Sequence, residues 1–238
     1  MPDYVEREFK LLIAGIDCVV IEQNGKWEQY LYDNAKRYDE ALPTYWAGLT
    51  IRLGDDEKVT PKKLLKLKGH DLDQIAVEIF RAGTIDDSLV LTGRCPDCNK
   101  RVNYAKDLWT LDFLPIPDGK TGPDPTFEFT TPRWKNEVVW GYLTGEQEFE
   151  EKRQSGFHPG TQTWKAIRSI NGKTDFTLQD ILAWPGADQE AIREEMWEKR
   201  CGYDTRIRLE HSCGNEVVMN LLVDPSFMFP GIPLQMRG

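Results

Sequence analysis

The chain has 238 residues, 30 Lys and Arg against 39 Asp and Glu, and a net charge of −9. With 40% hydrophobic residues and eight Trp it has the material for one large domain or two small ones, which excludes a disordered chain. The acidic balance opposes phosphate backbones and anionic membrane surfaces, so any nucleic-acid contact must be local.

Residues Met1 to Lys10 mix both charge signs without an apolar run, which predicts no secretory signal. Leu11 to Ile21 is broken by Asp17 and falls well short of the roughly 20 residues a membrane-spanning helix needs. Asn24-Gly25 lies between two strand-like runs, Ile16–Glu22 and Trp27–Tyr32, and this dipeptide predicts an N-terminal β-hairpin. Thr60-Pro61 opens a short basic helix, and a second follows over Asp71–Ala82. Ser88 to Arg94 and Arg101 to Lys106 read as strands on either side of Cys95-Pro-Asp-Cys98.

Five prolines and two glycines make Leu114 to Pro132 a loop-rich connection with room for a short strand, Thr126–Thr130. The expected organisation is therefore an N-terminal part over 1–114, a connection over 115–132 and a C-terminal part over 133–238. In the last part Val138–Leu143 predicts a strand. Thr144 and Gln147 have capping-box spacing, Thr177 opens a short helix ending at Trp184-Pro185, and Asp188–Arg200 is strongly helical. Strands over Thr205–Glu210 and Glu216–Val223 flank His211-Ser-Cys213-Gly214. No repeat of solenoid period is visible. The fold class expected is α+β, with short antiparallel sheets, packed helices and two strand–turn–strand elements resembling zinc knuckles.

An odd number of cysteines in a chain without a secretory signal favours reduced thiols or a metal site over a disulfide framework. Cys95 and Cys98, two residues apart on a strand turn, form half of a tetrahedral zinc site, and His211 and Cys213 on a second such turn supply the other half. His211 stands one position too close for the usual C-x-x-C spacing, and Cys201, just past a helix, competes as fourth ligand. The set Cys95, Cys98, His211 and Cys213 predicts one structural zinc per chain. Rival readings are a redox pair, which would need a helix N-terminus beside the first cysteine, and cysteines that merely pack as small hydrophobes.

Other motifs carry less. Gly119-Lys120-Thr121 and Gly172-Lys173-Thr174 lack the upstream glycine of a phosphate-binding loop and predict turns. His70 and His158 stand beside Gly or Pro and predict solvated loop histidines, and Cys18 predicts a core position. No HExxH, GxSxG or GxGxxG occurs, so no catalytic residue is predicted and the chain reads as a non-enzyme.

The order of segments carries a resemblance. A CxxC turn, a Pro-rich stretch, Leu143-Thr-Gly-Glu-Gln-Glu148, a helix, then Gly202-Tyr-Asp-Thr-Arg-Ile-Arg-Leu-Glu-His-Ser-Cys213-Gly214 and Asp224-Pro-Ser-Phe-Met-Phe229-Pro230 follow one another. This series resembles the baseplate hub assembly proteins of contractile-tailed bacteriophages over about residues 88–230. In that family the later turn usually reads C-x-x-C-G, of which His-x-Cys-Gly is a shortened form. The resemblance implies a virion component of the tail baseplate, present in host cytoplasm during assembly, that binds other phage tail and baseplate proteins without catalysis. Phe227, Met228 and Phe229 are expected to dock on such a partner, since successive side chains of an extended segment alternate faces. The alternatives are a zinc-ribbon nucleic-acid module, favoured by Arg94, Lys100 and Arg101, and more weakly a metal-dependent or thiol enzyme.

Overall fold

A computed structural model describes residues 4–34, 37–83, 88–153 and 159–220. The fold is α+β, with short antiparallel sheets and eight α-helices among the described residues. The expected docking segment at 224–230 and His158 lie outside the described residues.

Strand β1 (Glu6–Lys10) turns back through Leu11–Ile16 into β2 (Asp17–Ile21), which occupies the centre of a three-stranded sheet. The predicted hairpin at Asn24-Gly25 is not formed. Asn24 instead has extended backbone and its side-chain oxygen accepts from the Trp27 amide at 3.3 Å, capping helix α1 (Gly25–Asp33). Asparagine serves turns and N-caps equally well, so the dipeptide is ambiguous until β2 has a partner. That partner is β1, and the Trp27 ring packs over Gly48, whose Cβ would lie only 1.7 Å from it.

Helix α2 (Tyr38–Leu49) leads into β3 (Thr50–Leu53), the third strand of the sheet. Thr60 then caps α3 (Pro61–Leu64) as expected, its hydroxyl accepting from the Lys63 amide, and α4 (Gly69–Gly83) buries Leu72, Ile75 and Ile79 against the sheet. A hairpin of β4 (Ser88–Arg94) and β5 (Arg101–Asp107) follows.

After β6 (Phe113–Leu114) the same order begins again. Strands β7 (Thr126–Thr130) and β8 (Glu137–Gly141), helices α5 (Gly145–Arg153) and α6 (Pro159–Ala166), and strand β9 (Ile167–Ile170) rebuild the sheet. Helices α7 (Leu178–Leu182) and α8 (Gly186–Glu198) succeed them, then β10 (Gly202–Tyr203), which pairs with β6, and a second hairpin of β11 (Arg206–Glu210) and β12 (Glu216–Asn220).

The correspondence reaches individual residues. The first sheet has its register irregularity between Val19 and Val20, the second between Val139 and Trp140. In the first copy the Asp71 carboxylate accepts from the Ile13 and Ala14 amides in the β1–β2 turn. In the second, Asp188 accepts from the Arg133 and Trp134 amides in the β7–β8 turn. Left-handed residues recur at Gly15 and Lys135 and at Gly54 and Asn171, and Thr60 and Thr177 cap equivalent short helices. The chain is a two-fold repeat whose period is far longer than that of a solenoid.

Each copy has its own core. One cluster gathers Leu11, Cys18, Val20, Tyr45, Leu49 and Ile75; the other gathers Phe127, Trp140, Tyr142, Ile167, Ile192 and Cys201. Backbone bonds join them, from the Gly69 amide to the Leu143 carbonyl and from the Gly145 amide to the Leu67 carbonyl. The two glycines sit close to their neighbours: a Cβ on Gly69 would meet the Glu148 carboxylate at 2.1 Å and one on Gly145 the Leu72 side chain at 2.2 Å, so those side chains would have to shift.

Candidate metal centre

The two hairpins end in turns that face each other. In the first, Arg94 and Arg101 form the last strand pair, the Cys95 amide donates to the Lys100 carbonyl, and Asn99 takes a positive φ of 56°. In the second, Glu210 and Glu216 form the last pair, the His211 amide donates to the Asn215 carbonyl, and Gly214 takes φ 85°. His211 therefore occupies the place of Cys95, and Cys213 that of Cys98, in a turn one residue shorter. The shorter turn accounts for the spacing that departs from C-x-x-C.

Cys95, Cys98, His211 and Cys213 each direct one ligand atom into a common space, all within 4.8 Å of one another, and can hold one metal ion. The Cys95 and Cys213 sulfurs are 3.6 Å apart, and His211 Nδ1 lies 3.5 Å from the Cys98 sulfur and 3.0 Å from the Cys213 sulfur. Residues 113 positions apart in the chain thus share one site. Cys95 is buried, Cys98 and His211 are half-buried and Cys213 is exposed.

Backbone amides prepare the sulfurs for negative charge. The Cys98 amide, opposed by burial and joined by the Asp97 amide, holds the Cys95 thiol below its ordinary range. The Lys100 amide acts the same way on Cys98, but burial and the neighbouring Cys95 and Cys213 sulfurs outweigh it and push that thiol up. Crowded sulfurs resist joint ionisation without a cation between them.

The remaining candidates fall elsewhere. Cys201 is buried in the second core beside Tyr142, where burial pushes its thiol up to about 11, and it is not among the four clustered residues. Cys18 is fully buried, and burial, followed by the Asp71 charge, raises its thiol to about 12. Gly172 lies in a turn, as expected, whereas Gly119 ends a short 3-10 helix (Pro117–Gly119), and both take positive φ. His70 is not a loop histidine. It lies in the first turn of α4 with its ring 4.6 Å from that of Tyr142, and burial pushes the imidazole down to about 4.

Sequence reading missed the pair Asp71 and Asp188. The recurrence of Gly69-His-Asp71 and Gly186-Ala-Asp188, each shortly after a capping threonine, was the available signal. No protein-family model, curated protein or solved structure matches the chain.

Proposed function

We propose that this chain is a non-catalytic structural component of a contractile phage tail baseplate, a hub or assembly protein whose two hairpins are fastened by one zinc ion. The observation that carries the zinc is the convergence of three sulfurs and one imidazole nitrogen from two distant turns. A tetrahedral zinc with the usual bond lengths sets sulfur–sulfur edges of about 3.8 Å and sulfur–nitrogen edges of about 3.6 Å. The distances of 3.6 Å between the Cys95 and Cys213 sulfurs and 3.5 Å from Cys98 to His211 lie near those edges, while His211 to Cys213 at 3.0 Å is shorter.

Four protein ligands fill a tetrahedral shell and leave no position for a water or substrate, so the metal's work is structural. Because thiolates bind only when deprotonated and the unfolded chain scatters them, metal binding energy becomes folding energy. The tail assignment rests on the resemblance over residues 88–230, and the exposed aromatic residues agree with protein docking. Trp109, Phe113 and Trp134 are each more than two-fifths exposed, and such residues anchor protein interfaces. No helix among the described residues is long and apolar enough to cross a membrane.

Two measurements test the reading. Elemental analysis of purified protein should find about one zinc per chain. Mass spectrometry of purified tails should find the chain retained on them. Protein that stays metal-free after refolding with zinc removes the clamp, and tails that lack the chain remove the baseplate assignment. Exposed Arg94, Lys100 and Arg101 around the first turn favour the zinc-ribbon alternative, which requires salt-dependent DNA or RNA binding.

A further inference from the structure

Beside α4 and α5 the two copies meet through different surfaces, and each leaves bare the surface that the other uses. The first copy docks with its β1–β2 turn and the segment leading into α4. Ile13 of that turn is 1% exposed and packs in the second core, and the Lys68 ammonium donates to Asp124 and to the Tyr142 carbonyl. The second copy receives them at the end of β8 and the start of α5, where the Leu143 carbonyl accepts from Gly69 and the Gly145 amide donates to Leu67.

The equivalent surfaces have no such cover among the described residues. In the second copy the β7–β8 turn carries Arg133 and Trp134 where the first has Ile13 and Ala14; both are exposed, Trp134 by 55%. Gly186 is exposed where its equivalent Gly69 is buried. In the first copy Gly25 is exposed where its equivalent Gly145 is buried, and Val5 is 53% exposed where Pro125 is buried.

Glycine stands at all four helix starts, and only the covered pair has a reason for it within the chain. A Cβ on Gly69 would meet Glu148 and one on Gly145 would meet Leu72, each a side chain of the opposite copy. A Cβ on Gly25 or Gly186 would meet nothing within 4 Å, and neither residue takes positive φ. Both open a helix, although glycine is a poor helix former. Their use is explained by another backbone that approaches them as closely as the copies approach each other. The carbonyls agree. Those of Leu65 and Leu67 accept from the Glu146 and Gly145 amides of the opposite copy, whereas their equivalents, Leu182 and Trp184, are met by the Gln189 side chain of their own copy. Pro185 replaces Lys68, whose amide is not among the bonds between the copies, so the missing N–H removes none of them.

We propose that a second copy of this chain docks head to tail, the Trp134 turn and Gly186 of one chain seating on Val5 and Gly25 of the next as Ile13 and Gly69 seat on the second copy within the chain. The occupant is another copy because this contact is heterologous and the chain carries both halves of it, one bare at each end. Repetition of such a contact gives a closed ring where the rotation per step closes and a filament where it does not. The inference stands on the internal repeat and goes beyond both the zinc and the tail assignment.

Sedimentation of the full chain over a rising concentration series should show a ring or a growing polymer. Gly186→Leu and Gly25→Leu add a side chain where the chain itself leaves room for a Cβ, and each alone should raise the concentration at which assembly begins by about tenfold or more. Mixed in equal amounts, the two variants keep one intact junction between them and should form a dimer and nothing larger. Trp134→Ala and Val5→Lys, at exposed positions of the same two ends, form the corresponding pair where a glycine variant fails to fold. A wild-type chain that stays monomeric, assembly undiminished in a folded variant of either end, or a mixture no larger than its separate parts would each overturn the proposal.

Discussion

The two copies differ most where side chains meet side chains and least where side chains serve the backbone. Asp71 and Asp188 cap equivalent strand turns, Thr60 and Thr177 cap equivalent helices, and equivalent turns need a left-handed residue at Gly15 and Lys135. Over the same frame the buried Tyr45, Trp46 and Leu49 give way to Gln162, Thr163 and Ala166. Buried amides accept few substitutes for their partners, whereas a core accepts many apolar sets of similar volume. The two cysteine-bearing turns likewise keep their flanking strand pairs, although the second is one residue shorter and has His211 where the first has Cys95.

The largest effect expected from perturbing this pairing is loss of the metal. Closing a loop of roughly a hundred residues is worth about 4–5 kcal/mol in the chain-entropy picture, so Cys95→Ser and His211→Ala should lower stability by similar amounts approaching that figure. Cys201→Ser should leave the zinc in place. Zinc content and thermal denaturation measured on all three variants decide whether the two turns contribute equally, and metal loss in Cys201→Ser alone would assign the fourth ligand wrongly.

Next come the paired aspartates. Asp71→Ala strips acceptors from two amides, of which the Ile13 amide is fully buried, and should cost about 3 kcal/mol by chemical denaturation. Asp188→Ala faces two part-buried amides and should cost less, about 1–2 kcal/mol. Equal losses would mean that solvent reaches both turns alike.

His70 distinguishes the copies through pH, because its equivalent in the second is Ala187. Burial lowers its pKa from 6.5 to about 4, so between those values the unfolded chain binds the proton that the folded chain refuses. The stability linked to this group is complete above pH 6.5 and falls as pH drops toward 4 and below, by about 3 kcal/mol in all. Acid would also release any metal held by the cysteine cluster in both proteins, so the difference between wild type and His70→Ala isolates the histidine. Parallel pH curves for the two proteins would show that the imidazole is not kept neutral by the fold.

The smallest effect concerns turn strain. Lys135 has φ 56° where the first copy has Gly15 at 66°. Lys135→Gly should raise stability by up to about 1 kcal/mol, and Gly15→Ala, with no atom within 4 Å of the added Cβ, should lower it by a similar amount through backbone strain alone. Thermal melts of the two variants that move in the same direction would contradict the equivalence of the turns.

Local chemistry made much of the molecule legible in advance. Thr60, Thr144 and Thr177 announce helix starts because a hydroxyl three residues before a free amide has one dominant use, and all three accept from that amide. The alternating runs beside Cys95-Pro-Asp-Cys98 and His211-Ser-Cys213 announce strands, since a period of two requires no knowledge of the partner. Asn24-Gly25 escaped that logic. Asparagine is favoured both in turns and at N-caps, and the pairing of β1 with β2 and the packing of Trp27 on Gly48 accompany the cap.

The sequence already paired the two distant turns through Cys95, Cys98, His211 and Cys213; tertiary structure alone decided that one chain repeats the same fold and that the second copy carries smaller residues where the first is tightly packed. The repeat was hidden because its shared residues, Asp71 with Asp188 and Ile75 with Ile192, are scattered among positions where only volume and polarity matter. Spacing along a sequence constrains the few residues on either side of a capped amide or a strand turn. Which surfaces meet across more than a hundred residues depends on how whole helices and sheets bury one another, a quantity summed over many interchangeable side chains and carried by none of them singly.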